Sequence, residues 1–425
     1  MIFYNKGMEK TLLKEIISDQ RRKALPLDFI ERELESSIKE SRSECVTIIS
    51  GVRRCGKSTF LGAIRAKQKE SDYFLNFDDE RLIDFSVNDF QPLFEVFLEL
   101  FGEQRIFYFD EIQNVSGWER FVRRLHDDGN KVFITGSNAS MLSRELGTRL
   151  TGRYVEKRLF PFSFSEFLRF DKTNYNKALQ FSTTEKIKIK KTFNRFLRLG
   201  GFPLYVKMQD GDYLKSLYES IIYRDIIVRY NIPNEKPLKE LTHFCASNIG
   251  KEISFNSLKE VIGISSSTSI KEYFGYLENS FLVFLLPRFD YSLKRQTYLG
   301  KKIYFIDSAL ADNVGFRFSE DLGRMLENAV FLQLKRENKE IYFHRKEKEC
   351  DFLIKNGNKI TEAMQVSKSL KNEKTKQREI SGLIEAMNEY ELKNGTIITE
   401  DEEGDEKIDK FHITIKPIYK WLLER

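Results

Sequence analysis

The first strong pattern along the chain is a run of β-branched residues, Cys45-Val-Thr-Ile-Ile-Ser50, closed by glycine. A short, uninterrupted apolar run predicts a strand buried on both faces. From Thr59 to Ala66 the sequence can continue as a helix, and two more apolar runs follow, Ile106-Phe-Tyr-Phe-Asp110 and Lys131-Val-Phe-Ile-Thr135. Buried strands alternating with helical stretches predict an α/β domain on a parallel sheet.

Past Ser163 the pattern changes. To Tyr230 it is helical, dense in Phe and Leu with Lys and Arg between them. The run Lys186-Ile-Lys-Ile-Lys-Lys191 alternates, but it lies inside a longer helix-compatible stretch and reads as a solvated basic face. Leu199-Gly-Gly-Phe-Pro203 is a break between helices. Residues 237–288 carry a helix-turn-helix rhythm. One helix runs from Leu238 to Ile249, and a second is capped at Ser254 and stopped at Gly263. A third starts in Ser265-Ser-Ser-Thr268, and Phe281-Leu-Val-Phe-Leu-Leu286 reads as a wing strand.

The last third returns to α/β patterning. Lys302-Ile-Tyr-Phe-Ile-Asp307 is a strand, and Leu322 to Leu334 is an amphipathic helix. Ile341-Tyr-Phe-His-Arg345 and Cys350-Asp-Phe-Leu-Ile354 form a hairpin, and Ile360 to Ser367 is the next strand. The expected domains are a parallel-sheet core with a helical lead-in over 1–160, a helical lid over 161–232, a winged helix over 233–295 and a second α/β domain over 296–425.

The 425 residues allow about two to four domains. A net charge of +6 is mild for this length and does not by itself establish nucleic-acid binding. The four cysteines form no CxxC pair, which points away from a disulfide framework or a zinc site and towards a reducing compartment. Cys45 reads as a core residue, whereas Cys55 lies where an alkylating reagent could reach it. With no signal-peptide pattern and no transmembrane-length apolar run, the expectation is a cytoplasmic protein without membrane contact.

Chemistry concentrates at the first strand's exit. Gly51-Val-Arg-Arg-Cys-Gly-Lys-Ser58 matches G-x-x-x-x-G-K-[ST] between a strand and a helix, the setting in which that motif binds phosphate. Glycines let backbone N–H groups turn towards phosphate, and the helix start adds partial positive charge. Lys57 would reach the β/γ-phosphates of ATP and Ser58 would hold Mg²⁺, with Gly51, Arg53, Arg54, Cys55, Gly56 and Thr59 as further nucleotide contacts. Asp110 and Glu111 close the second strand, where ligands bind in open α/β sheets. Asp110 would orient Mg²⁺ and Glu111 the attacking water. Glu111 must use the bend at the strand end, because adjacent strand residues point to opposite faces. Asn138, with Ser137 second, is the candidate γ-phosphate sensor, and an Asx or Ser turn is the competing reading. Arg153, with Arg149 second, is the candidate arginine finger, in cis or from a neighbouring subunit, against a surface salt bridge.

These motifs occur in order with Asn76-Phe-Asp-Asp-Glu80, Trp118-Glu-Arg-Phe121, Gly152-Arg153 and Pro161-Phe-Ser-Phe-Ser-Glu-Phe167. Together they resemble the prokaryotic AAA-type ATPases that carry a DUF4143 C-terminal region. The resemblance runs from about Lys14 to the C-terminus. It implies a P-loop NTPase core of the additional-strand class with Asp110 and Glu111 as its Walker B acids, and it says little about biological role. Leu199-Gly-Gly-Phe-Pro203 matches a signature of the group. Arg224 reads as structural rather than as a lid arginine sensing nucleotide.

The C-terminal order resembles restriction-endonuclease-like nucleases: a helix Glu327, a strand Asp351, then a third motif on the next strand. There the pattern departs, because Gln365-Val-Ser367 stands where Glu-x-Lys is needed, and Lys368 should point to the other face. Losing a carboxylate weakens a hard-cation site, and losing the lysine removes a water activator. The expectation is a nuclease-like fold without efficient cleavage. The whole reads as an ATPase coupled to a winged helix and an inactive nuclease-like domain, with DNA, a protein partner or a homo-oligomer as partners. The alternatives are a nucleotide-switched DNA- or protein-binding regulator with little turnover, and an ATP-coupled nuclease.

Overall fold

A computed structural model of the chain describes residues 7–22, 29–40, 45–68, 70–137, 150, 152–175, 182–264, 266–315 and 322–425. The chain divides into two compact units, Met1–Leu159 and Phe160–Arg425.

The first unit is built on five parallel strands: β1 (Val46–Ser50), β2 (Tyr73–Asn76), β3 (Ile106–Asp110), β4 (Lys131–Gly136) and β5 (Tyr154–Arg158), in the order β2-β3-β4-β1-β5. Every residue of β1 and β3 is buried, as continuous apolar runs require. The helix Lys10–Arg22 buries Leu13, Ile16 and Ile17, a three-and-four spacing that makes one apolar stripe. Aromatic rings fill much of the core: Tyr73 stacks on Phe97 with centroids 4.8 Å apart, and Phe90 on Phe121 at 4.6 Å. Each such ring buried adds roughly 2–3 kcal/mol. Since all strands run the same way, Ser50, Asp110 and Thr135 reach one edge of the sheet together.

The second unit begins with helices Phe164–Phe170, Thr183–Leu199, Pro203–Met208 and Gly211–Ser220, the last running into a π-helical turn at Ile221–Ile227. Arg224 is exposed on that turn, beside buried Asp225. Helices Lys236–Ser247, Phe255–Ile262 and Ser267–Asn279 follow with three antiparallel strands, β6 (Glu252–Ile253), β7 (Val283–Pro287) and β8 (Lys301–Phe305), ordered β6-β8-β7. Strand β8 is the middle strand, so the boundary expected at residue 295 would cut this sheet.

A six-stranded mixed sheet completes the unit: β9 (Glu340–Arg345), β10 (Glu349–Asn356), β11 (Lys359–Val366), β12 (Asn394–Thr399), β13 (Gly404–Ile408) and β14 (Phe411–Pro417), ordered β13-β14-β12-β11-β10-β9. β9, β10 and β11 are antiparallel, and the helix Glu373–Glu389 is the crossover that makes β12 parallel to β11.

Two glycine sites show how tightly this unit is packed. A Cβ on Gly200, whose φ is 63°, would lie 2.2 Å from an oxygen of Asp307, and the Gly201 N–H donates to the same carboxylate at 2.6 Å. The Gly-Gly break is thus a packing device in this chain. In the middle of the crossover helix, a Cβ on Gly382 would lie 2.1 Å from the Glu349 carbonyl oxygen on β10.

Alanine normally favours a helix over glycine by roughly 1 kcal/mol, so the sign of the effect at Gly382 is diagnostic. Gly382→Ala is expected to lose about 2 kcal/mol of unfolding free energy in a denaturant titration; a gain would show that the helix can shift off β10.

Candidate nucleotide-binding site

Strand β1 delivers the chain to Gly51, and the helix Lys57–Lys67 starts six residues later. A side chain at Gly51 is excluded by its neighbour strand: its Cβ would lie 2.1 Å from the Leu159 carbonyl oxygen, just past β5. Gly56 has φ 102°, a conformation that costs glycine little and leads the chain into the helix. Arg54 is also left-handed, at φ 64°, and exposed. Arg53 is half-buried, and Ser58 and Thr59 are exposed on the helix's first turn.

The Lys57 ammonium is 4% exposed. It donates to the carbonyls of Gly51 at 3.1 Å and Val52 at 3.2 Å, and the Glu111 carboxylate lies 3.8 Å away. A buried cation held mainly by neutral carbonyls gains from a closer anion.

Asp110 lies buried at the end of β3. It accepts from the Thr135 hydroxyl at 2.5 Å and is hydrogen-bonded to Ser58. Burial, then the charge of Glu111, pushes its carboxyl up to about 6, against the pull of Thr135, Ser58 and Lys57. A hydroxyl and a desolvated carboxylate side by side are hard oxygen donors of the kind Mg²⁺ takes, so these residues fit that ion.

Glu111 leaves the strand at φ 51°, and this turn brings its side chain to the site that Asp110 faces. Its N–H donates to Thr135 Oγ1 at 2.9 Å, and its carboxylate accepts from the Gln113 amide. Thr135 therefore ties both acids to β4. It had been read only as part of a strand; a hydroxyl closing an apolar run beside Asp110's strand was the available signal. Buried Arg32, which donates to the Cys55 carbonyl at 3.1 Å, gave no local signal at all.

Asn138 and Arg149 lie outside the described residues. Ser137 is buried at the end of β4. Arg153 is a correction: it stands before the first residue of β5, where its carbonyl accepts from Val46 and its Nε donates to Asp127 at 3.0 Å. That is the amino edge of the sheet, whereas the loop leaves from the carboxyl edge, so Arg153 does not serve this site in cis. Arg158, in register with Ser50, is the β5 arginine at the loop's edge. Cys55 is a second correction, since it is fully buried and burial raises its thiol.

In the second unit, Glu327 and Asp351 are brought together by a residue that the sequence marks only as the start of a strand. Lys302 on β8 places its ammonium 3.0 Å from Glu327, 2.8 Å from Glu349 and 2.7 Å from Asp351. Gln365 accepts from the Asp351 N–H and donates to Glu379 at 2.5 Å. Ser367 is buried and Lys368 exposed, both just past the end of β11.

The order β2-β3-β4-β1-β5, with a phosphate loop after β1 and paired acids after β3, defines an AAA-type P-loop domain. A family model described as an AAA domain matches residues 43–168. The chain belongs to the family of an uncharacterized protein of Methanocaldococcus jannaschii, MJ1544, to which it is 38% identical over 98% of its own length and 96% of that protein's. An uncharacterized protein of Haemophilus influenzae is 30% identical over 78% of this chain and 84% of its own. Residues 190–320, part of the region read as DUF4143, match a different model, a domain of unknown function (DUF8612). A signal-transduction ATPase of Pyrococcus horikoshii with a tetratricopeptide repeat sensor aligns with 73% of this chain at 15% identity and a TM-score of 0.28. The chain spans about half of that protein, 46% of its length. A score that low leaves the sheet order and the family match as the grounds for the fold. Among the described residues, no helix is long and apolar enough to cross a membrane.

The burial of Cys55 has a direct readout. In the native chain a thiol reagent should titrate Cys45 alone, the one cysteine not buried, and all four after denaturation. Rapid native labelling of Cys55, located by peptide mapping, would show that the loop opens.

Proposed function

We propose that the chain binds Mg²⁺–ATP at the loop closing β1 and hydrolyses it in the cytoplasm, and that this cycle drives or gates the action of its second unit on DNA or a protein partner. One observation carries the reading: a buried, carbonyl-held Lys57 faces two adjacent acids at one sheet edge. Ser58 and Asp110 would hold Mg²⁺, which neutralises phosphate charge when bound. The loop N–H groups and Lys57 would grip the β- and γ-phosphates and stabilise charge on the transferring group. Glu111, turned out of the strand, would orient the attacking water. A completing arginine would come from Arg149, from Arg158, or from Arg153 of a second copy.

A nucleotide-switched regulator is the second reading. It is favoured by the engagement of Glu111 with Gln113, which holds the water-orienting group within the chain. Glu111→Gln is expected to keep ATP binding while lowering steady phosphate release by roughly 10²-fold or more, and Lys57→Ala to lose binding. Release by Glu111→Gln at the wild-type rate would sink the hydrolytic reading; tight binding without release by the wild type would replace it with the switch.

The second unit reads as a helical lid over 161–232, a winged helix and then a restriction-endonuclease-like, DUF4143-type domain. The sheet order β6-β8-β7 with three helices supports the winged helix, and a helix Glu327 followed by β9, β10, β11 and a crossover helix supports the nuclease-like domain. With Gln365 and Ser367 in the third motif, supercoiled plasmid should stay intact in Mg²⁺ or Mn²⁺. Nicking that is lost on Asp351→Ala would establish an ATP-coupled nuclease instead.

A further inference from the structure

A nuclease-like domain implies a divalent ion between its carboxylates, and here the residues do not fit one. Lys302 is 1% exposed, and its ammonium lies among oxygens of Glu327, Glu349 and Asp351 at 2.7–3.0 Å. A divalent ion held by oxygens at about 2.0–2.6 Å needs the same space. The other Asp351 oxygen accepts from the Val366 N–H at 2.9 Å, and Glu327 also accepts from the Tyr304 hydroxyl at 2.6 Å. Gln365 has turned away, between the Asp351 N–H and Glu379.

We propose that Lys302 is the resident cation of this site: its ammonium replaces the divalent ion, and in doing so it fastens the three-stranded sheet to the nuclease-like fold. The fastening has independent support. Asn328, next to Glu327 on the helix Leu322–Arg336, makes two hydrogen bonds to the backbone of Phe305 on β8, at 2.9 and 3.0 Å. Tyr304 stacks on Phe331 of the same helix with centroids 4.0 Å apart. Residues 302, 304 and 305 of one strand are thus all committed to one helix, and both Lys302 and Tyr304, whose ring centroid lies 5.9 Å from that of Phe352, also reach β10. Burial pulls its ammonium down, but Asp351, Glu327, Tyr304 and Glu349 outweigh burial and hold it well above its ordinary value. With the ammonium filling the space between Glu327, Glu349 and Asp351, the wild-type domain takes no metal here.

Thermal unfolding of the nucleotide-free full chain, with and without Mn²⁺, tests this. Wild type should show no Mn²⁺-dependent shift that Asp351→Asn removes. Lys302→Ala leaves carboxylates buried without their cation, so its midpoint should fall by several degrees and be partly recovered by Mn²⁺. The triple variant Lys302→Met, Glu327→Gln, Asp351→Asn removes the ammonium and the two buried carboxylates together and leaves only Glu349, which is 36% exposed; it should be more stable than Lys302→Ala without Mn²⁺ and indifferent to the metal. If Lys302→Ala does not fold, its refolding yield with and without Mn²⁺ is the readout. A wild-type shift removed by Asp351→Asn, or a Lys302→Ala variant that Mn²⁺ neither stabilises nor helps to refold, would overturn the assignment. Plasmid nicking tests the nuclease-like reading, and Mn²⁺ rescue of the lysine variant tests the cation replacement, so the two can fail separately.

Discussion

A lysine ammonium taken out of water must be met by oxygen, and each unit of this chain is organised around that requirement. Lys57 and Lys302 are almost equally buried, at 4% and 1% exposure. Their partners differ in kind. Lys57 meets two backbone carbonyls closely and a carboxylate only at 3.8 Å. Lys302 meets three carboxylates within 3.0 Å. Neutral carbonyls on a loop can be exchanged for a phosphate at small cost, since the anion offers a stronger bond. Three carboxylates cannot be exchanged without leaving buried charge behind. The same side chain therefore suits a ligand-accepting centre in one unit and a permanent fastening in the other.

Strand direction decides which residues can share the first centre. In a parallel sheet all carboxyl ends meet at one edge, which is why Ser50, Asp110 and Thr135 converge though they lie far apart in sequence. The insertion of β4 between β1 and β3 supplies Thr135, whose hydroxyl donates to Asp110 and accepts from the Glu111 N–H. Glu111 escapes the alternation of the pleat only because its own φ is 51°. Two adjacent acids then address one site, which two regular strand positions could not do.

What was legible in the sequence follows from these constraints. The loop Gly51–Ser58 is contiguous, so its chemistry reads off directly, and the burial of β1 and β3 follows from their apolar runs. Gly51 shows the limit even there: glycine is required by the Leu159 carbonyl, which lies just past β5 and more than one hundred residues later. The expectation that Arg153 could act in cis fails because distance from the motif along the chain does not reveal the edge of the sheet on which a residue falls. Reading Arg153 as the last residue before β5 places it at the amino edge at once.

Lys302 shows why the remainder was hidden. Glu327, Asp351 and Gln365 could be ordered from helix and strand patterns, since they lie on elements that follow one another closely along the chain. Their partner lies on an earlier strand, outside that run of elements and paired with β6 and β7 from beyond the expected domain boundary. The only local trace was a lysine opening an apolar strand with Tyr304 two residues on, and so on the same face. A lysine facing into an apolar strand is costly unless a carboxylate waits for it. On the proposed nuclease-like reading, the absence of Glu-x-Lys from the third motif and the presence of Lys302 among the acids go together physically: carboxylates that do not hold an exchangeable ion can hold a covalently attached one.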